Sequence, residues 1–508
     1  MKRIKIVCLT LVFCIALTGC AANKGSNTKE DITSAILAQF DELTKIPRPS
    51  HHEEQISAYL KKWAEDRQLN VTQDRANNII IEVPATKGYE KLPLTILQGH
   101  MDMVFAKKEG LDLDPLTTTI NVVNDGTYLK SDGNTSLGAD NGIGLSTILS
   151  IADGKMDHGP LRLIVTTDED SDMTGSHIID PKYFSDAAYL INVDSETEGE
   201  ATVSSASMNS VSFVKEYKAK AQTKANSLMI QAKGLSGGHS GVDIDKGHLN
   251  AAVAMGYILN SLYDAGIDFE LTKIDGGTAY NAIMYSASAL ICINDGDIDK
   301  AKAIVNDCYT KLKSEHAETD PNMEINIADA NNTDGLVLPK NERNSILTFF
   351  KEYKNGIRTM SSNIPNLVEC SVNLGIIHVN PNALELVMSS RSSSPKEEEL
   401  QMQDLEEIAE SADYTIQITH VGDAWEYKPD SKLEKVFRES YRKLFNEDIK
   451  ITALHAGLEC GTFAMYNNKL DIISIGPTIE NAHSTKECVD IASIEMVWDL
   501  LAEVLINL

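Results

Sequence analysis

Leu94-Thr95-Ile96-Leu97-Gln98-Gly99-His100-Met101-Asp102 runs from an apolar, β-branched stretch straight into a histidine and a carboxylate. A short apolar run of this kind predicts a buried strand. The design recurs three times: Leu161 to Thr166 before Asp168-Glu169-Asp170, Ala188 to Val193 before Asp194, and Ile472 to Ile475 ahead of Asn481-Ala482-His483-Ser484. In open α/β sheets ligands collect at the carboxyl ends of strands, so the four stretches predict an α/β fold with a site along one sheet edge. A fifth block, Leu137-Gly138-Ala139-Asp140-Asn141-Gly142, opens the apolar pattern that continues to Leu149 and reads as a helix start. A carboxylate there meets free backbone N–H groups, and Asp140 taken alone reads first as an N-cap.

The residue types point to metal chemistry. Imidazole nitrogen and carboxylate oxygen suit a divalent cation such as Zn²⁺, and two such ions can share a bridging carboxylate and a water. The inventory supplies one histidine per ion, His100 and His483, one carboxylate per ion, Asp170 and Asp194, and Asp140 as the bridge. Asp102, two residues after His100, can accept the other ring N–H and fix its tautomer. Glu169 is the spare carboxylate, suited to move a proton from water to a leaving amine. Each of these has a plainer reading alone. Among 74 acidic residues, Glu169-Asp170 reads as a solvated loop and His100 as a satisfied loop histidine. Five separate loops supplying the required type past an apolar run is what favours the metal centre.

The runs Leu97 to Val104, Leu137 to Gly144 and Asn192 to Glu200 resemble the bacterial aminoacyl-histidine dipeptidases, within the di-zinc aminoacylase and carboxypeptidase type of metallopeptidase. The resemblance continues through Gly237-Gly238-His239-Ser240-Gly241, Gly276-Gly277-Thr278 with Asn281-Ala282-Ile283, His455-Ala456-Gly457-Leu458-Glu459-Cys460-Gly461 and Ile475-Gly476-Pro477-Thr478, covering nearly all the chain after residue 30. It implies His100, Asp140, Asp170, Asp194 and His483 as ligands of two divalent ions, zinc first and cobalt or manganese as substitutes, with Asp140 bridging and Glu169 as base. It also implies a catalytic domain, with a mixed sheet flanked by helices, formed by residues 31–206 and 411–508 and interrupted by an inserted α+β lid at 207–410. A homodimer through that lid is the expected assembly.

By the same resemblance, substrate contacts come from His239, Asn281 and Arg391 of the lid and from the Gly457 backbone. His239 in its glycine-flanked loop can donate to a carbonyl becoming an oxyanion, and Arg391 can fork onto a free carboxylate. Without the resemblance, Arg391 reads equally well as a solvated residue at a strand end. Two departures stand out. Met284-Tyr285 follows Asn281-Ala282-Ile283 where relatives often carry Pro-Arg, and Asp170 stands where they usually carry Glu, keeping a carboxylate on a shorter arm.

The amino terminus carries an address. Lys2, Arg3 and Lys5 precede an apolar run from Ile6 to Leu17 and then Thr18-Gly19-Cys20, which reads as a secretory signal over 1–19 with a lipoprotein box. The run is short for a membrane span. Lipid on Cys20, followed by a polar tether over 20–30, would hold the enzyme at the extracytoplasmic face of a bacterial membrane. The formal charge is −28, and removing residues 1–19 makes it more negative, which argues against nucleic acid as a partner. After Cys20 come Cys292, Cys308, Cys370, Cys460 and Cys488, with no metal spacing and no disulfide framework.

Other local signals read as structure. Ser50-His51-His52-Glu53 reads as a capping box before the amphipathic pattern Ile56, Leu60, Trp63, and its adjacent histidines face different directions on a helix, which disfavours a metal site. Helical patterns also run from Asn250 to Leu262 and from Pro395 onward. The expected function is a membrane-anchored, di-metal dipeptidase acting on short peptides, with Xaa-His dipeptides as candidate substrates. Its alternatives are an N-acyl amino acid deacylase, a tripeptidase, or an exported peptide-binding lipoprotein without catalysis. Glu169 beside a full ligand set speaks against the last, since a binder needs no base.

Overall fold

The apolar runs do form paired strands, in a computed structural model that describes residues 29–508. Cys20, the 1–19 signal and most of the 20–30 tether lie outside the described residues. The first sheet orders its eight strands as Asn70–Gln73, Ile79–Val83, Leu161–Thr166, Thr95–His100, Tyr189–Val193, Asp471–Ile475, Glu200–Ser205 and Lys450–Leu454. Thr95–His100 is parallel to Leu161–Thr166 and to Tyr189–Val193, which is in turn parallel to Asp471–Ile475, so four carboxyl ends share one edge. The outer pairs Asn70–Gln73 with Ile79–Val83 and Ile79–Val83 with Leu161–Thr166 are antiparallel, making the sheet mixed, as expected.

Alternation along these strands splits their side chains between two apolar faces. Leu97, Leu163, Val165 and Ile191 join the core formed with Ile143, Ile148, Phe437 and Trp498 of the flanking helices. Ile96, Ile164 and Leu190 face the other way, onto Phe184, Phe463 and Trp425. Burial on both faces is why the strands read as continuous apolar runs and not as alternating ones.

The second sheet is antiparallel and built from the middle of the chain. Its strands follow the order Glu324–Ala330, Asn226–Lys233, Ala287–Ile293, Glu270–Gly276, Val368–Asn380, Ala383–Ser392, Ser207–Glu216 and Thr415–Gly422, with Gly356–Met360 paired to Val368–Asn380. The helices Ala251–Asp264 and Pro395–Ser411 start where the sequence pattern places them, capped by Asn250 and Ser394, and with Ile298–Glu315 and Lys340–Glu352 they cover this sheet. The α/β and α+β expectation holds. Thr415–Gly422 pairs with Ser207–Glu216, so the second sheet runs past residue 410.

The capping box at Ser50 does not form. The helix begins at Glu54, and no side chain caps it. Ser50 Oγ instead donates to Asp102 Oδ2 at 2.8 Å, and His51 Nδ1 pairs with Asp168 Oδ1 at 2.8 Å. A carboxylate pair across the fold outcompetes a local cap because each contact there is charge-assisted.

Candidate active site

Strand ends deliver the central side chains. His100 closes Thr95–His100, Asp194 follows Tyr189–Val193 directly, and Glu169 and Asp170 lie just beyond Leu161–Thr166. His483 arrives in a loop after Asp471–Ile475, and Asp140 sits in the first turn of the helix Ala139–Ser150. His100 Nε2 lies 3.2 Å from both Asp140 Oδ1 and Asp194 Oδ1, and 3.9 Å from Glu169 Oε2. His483 Nε2 lies 3.0 Å from Asp140 Oδ2 and 2.9 Å from Asp170 Oδ1. Asp140 therefore turns one oxygen to each histidine.

Asp102 organises this cluster from behind. Its Oδ1 is 3.2 Å from His100 Nδ1, and its two oxygens also accept from the backbone N–H groups of Glu169 and Asp170 at 3.1 and 3.2 Å. One carboxylate thus orients the ring and pins the loop bearing Glu169. Deeper still, Glu459 Oε2 accepts from Gln98 Nε2 and Thr166 Oγ1, both at 2.7 Å, bracing the strands below.

The electrostatics are those of a site short of positive charge. Hydrogen bonds that its ring donates to Asp140 and Asp170 push His483 up to about 11. Burial opposes protonation of His100, yet Asp194 and Asp170 outweigh it and its pKa is well above the usual range. Burial raises Asp194 to about 6 and, with the charge of Asp194, lifts Glu169 well above an ordinary glutamate. A cavity of about 520 Å³ opens beside these groups, bounded also by Glu196, Thr452, Leu454 and Leu458.

A second cluster holds the other site residues singled out in the sequence. Arg391 is 2% exposed, and its Nε donates to Ser240 Oγ at 3.3 Å. His239 Nδ1 accepts from the backbone N–H groups of Gly241 and Val242, which places the ring proton on Nε2, 3.4 Å from Arg391 Nη2. Two donors thus face each other with no acceptor between them. Burial lowers Arg391 to about 10, and burial with the Arg391 charge lowers His239. The Asn281 carbonyl accepts from Ser240 N–H at 2.9 Å, and Gly457 lies beside Met173 in the loop after Glu169. No hydrogen bond or ion pair joins the Arg391 cluster to the Asp140 cluster among the described residues.

Four contributors were not assigned a role from the sequence. Arg48, Glu487, His455 and Glu459 act through loop backbones or buried partners, and only the last two belong to a quoted motif. His455 Nε2 meets Ser371 Oγ at 2.7 Å across the two sheets, and burial, with Arg391 nearby, drops it to about 3.

Residues 96–507 match the model of peptidase family M20/M25/M40. The chain belongs to that family. Within it, the cytosol non-specific dipeptidase of Escherichia coli (strain K12) is 33% identical over 468 residues, 92% of this chain and 96% of the relative. The crystal structure of the aminoacylhistidine dipeptidase from Vibrio alginolyticus superposes with a TM-score of 0.87 at 30% identity, covering 93% of this chain and 96% of that one. A tripeptidase from Staphylococcus aureus shares the fold at a TM-score of 0.54 and 15% identity, covering 94% and 98%. As an M20 peptidase the chain is a metal-dependent hydrolase of peptide bonds, and its cofactor is a pair of divalent ions, typically zinc.

The residues present fit that cofactor. His100, Asp140 and Asp194 bring ligand atoms within 4.8 Å of one another, as do Asp140, Asp170 and His483, so Asp140 belongs to both groups. Asp194 Oδ1 is buried and makes no hydrogen bond among the described residues, a cost that a cation at that oxygen removes. The mixed nitrogen and oxygen donors suit zinc, cobalt or manganese.

The expected address is corrected. The E. coli relative that aligns with 92% of this chain is a cytosol enzyme by name, and no helix among the described residues is long and apolar enough to cross a membrane. The lipid-anchored, extracytoplasmic placement rested on about twenty residues of composition at the terminus, whereas the body of the chain carries the likeness to a cytosol enzyme. Anchoring through Cys20 is not carried forward. The five cysteines after residue 29 are free thiols.

Proposed function

We propose that the chain is a dipeptidase that binds a free two-residue peptide between the Asp140 cluster and Arg391, with Xaa-His dipeptides as its candidate substrates. The observation that carries this reading is the buried Arg391 guanidinium, which has no carboxylate paired with it among the described residues. A buried cation lacking a counter-ion is costly, and the free carboxylate of a short peptide offers a bidentate one. The names of the E. coli and Vibrio relatives support the same substrate class.

His100, Asp194 and Asp140 would hold one ion, and His483, Asp170 and Asp140 the other. When bound, the pair supplies Lewis acidity toward the scissile carbonyl and lowers the pKa of water. Glu169, its proton affinity raised by burial, takes the proton of the attacking water and passes it to the leaving nitrogen. Asp102 holds the His100 proton on Nδ1, leaving Nε2 free as a ligand. The second sheet serves as the lid: His239 Nε2–H donates toward the carbonyl becoming an oxyanion, and Asn281 and the Gly457 backbone complete the peptide contacts.

A substrate panel tests this. Dipeptides, matched tripeptides and N-acyl amino acids are incubated with protein loaded with zinc, cobalt or manganese, and with chelator-treated protein. Dipeptides, Xaa-His among them, should be cleaved fastest, and only by loaded protein. Preference for N-acyl amino acids or tripeptides overturns the reading.

A further inference from the structure

Glu487 is 2% exposed, and its carboxylate is spent on backbone. Oε2 accepts from the N–H groups of Leu137 and Gly138 at 2.7 and 3.0 Å, and Oε1 from those of Ala139 and Asp140 at 2.7 and 3.3 Å. These four consecutive amides open the helix Ala139–Ser150, where N–H groups lack partners within the helix and an anion is favoured. Glu487 itself stands four residues after His483. Between them Ser484 Oγ donates to the Asn481 carbonyl at 2.7 Å and Glu487 N–H donates to the Ser484 carbonyl at 3.2 Å, closing the turn. Asn481 and His483 both take positive φ, 54° and 60°, in the left-handed region that Asn and His enter more readily than most side-chain-bearing residues.

The two histidines are therefore supported differently. His100 and Asp194 are fixed by paired parallel strands, and Arg48 ties that side to the helix start by donating to the carbonyls of Met101, Asp102 and Gly138 at 3.0, 2.8 and 2.6 Å. His483 sits in the turn joining the paired strands Ile479–Glu480 and Cys488–Asp490, the latter also paired with Tyr128–Ser131, and the buried side chain that ties this turn to the Asp140 segment is Glu487. We infer that Glu487 is a positioning residue that sets the spacing between the two metal positions, by fastening the His483 loop to the backbone that presents Asp140. Asp140 serves both positions and His483 only one, so the His483, Asp140 and Asp170 position has two of its three side chains held by that fastening. This rests on the ligand set proposed above.

Glu487→Gln is the sharpest variant, because its amide nitrogen would set donors against two of the four N–H groups. Metal-stripped wild type and variant are titrated with zinc and counted by mass spectrometry, with near-ultraviolet circular dichroism of the stripped proteins as the fold check. Wild type should take two ions per chain. The variant should bind the second ion at least ~10-fold more weakly, the scale for partners that orient ligands, and the first with a smaller loss, because Asp140 serves both. Two ions at wild-type affinity in the variant, even with a lower melting temperature, mean a purely structural role and overturn the inference while leaving the ligand set intact. Fewer than two ions in wild type overturns the ligand set, and this inference with it. Hydrogen exchange on stripped wild type gives an arm that needs no variant. The amides of residues 137–140 should be protected without metal, and protection that appears only on adding zinc overturns the tether.

Discussion

The same side chain meets opposite fates in the two clusters, half-exposed in one and buried in the other. At the edge of the first sheet His483 is pushed up to about 11 by Asp140 and Asp170, while His455, against the second sheet, is driven down to about 3 by burial and the charge of Arg391. One cluster has carboxylates in excess of cations, and the other a guanidinium with no carboxylate paired to it among the described residues. Neither imbalance is tolerable for a protein interior by itself. On the proposed reading, divalent cations balance the first and the free carboxylate of a peptide the second.

The largest expected effect tests whether the acidic cluster contains one carboxylate that is not a ligand. Glu169→Gln should lower turnover at least ~100-fold, the usual scale for a proton-transfer group, with two ions still bound. Loss of an ion in parallel with activity would make Glu169 a ligand and erase the distinction. Next comes the cationic cluster. Arg391→Ala should lose about 2 to 4 kcal/mol in kcat/KM on a dipeptide and little on the corresponding dipeptide amide. Equal losses on both substrates would show that Arg391 supports folding and does not read the carboxylate.

His455 gives a pH-dependent effect on stability with a defined sign. Above its ordinary value of 6.5 the ring is neutral in folded and unfolded chains, and its contribution to stability is complete. As pH falls below 6.5 the unfolded chain takes up a proton that the folded one refuses down to about 3, so stability declines by up to about 1.4 kcal/mol per pH unit across that window. Denaturant titrations of chelator-treated protein between pH 7 and 4 should therefore show a shallower acid slope for His455→Gln. An unchanged slope places the acid sensitivity elsewhere. Smallest is Ser431→Ala, which removes the cap accepting from Glu434 N–H at 2.9 Å and should lower stability by about 1 kcal/mol with the dipeptide-to-amide ratio intact. A shift in that ratio would mean that global stability, and not the local charge of either cluster, governs selectivity.

Most of the Asp140 cluster was legible because apolar strands that end on histidine or aspartate carry their own punctuation. His100, Glu169, Asp170 and Asp194 stand immediately past such runs, and His483 a short loop beyond one. What was not legible acts through the backbone of distant segments. Arg48 reads carbonyls at 101, 102 and 138, and Glu487 reads amides at 137 to 140, contacts that leave no pattern near either residue. Ser50 was misread for the same reason, since its true partner, Asp102, lies far along the chain. The reach of the second sheet past residue 410 was equally invisible, because Thr415–Gly422 pairs with a strand some two hundred residues earlier.

Leu454 borders both the cavity beside Asp140 and the one beside His455, and the loop that follows it carries His455 and Gly457. On the proposed reading that short stretch is a yardstick. The length of peptide accepted is then written into a few residues of one loop, apart from the residues that cleave the bond. A lineage could change the size of its substrates by lengthening that loop while inheriting the chemistry untouched.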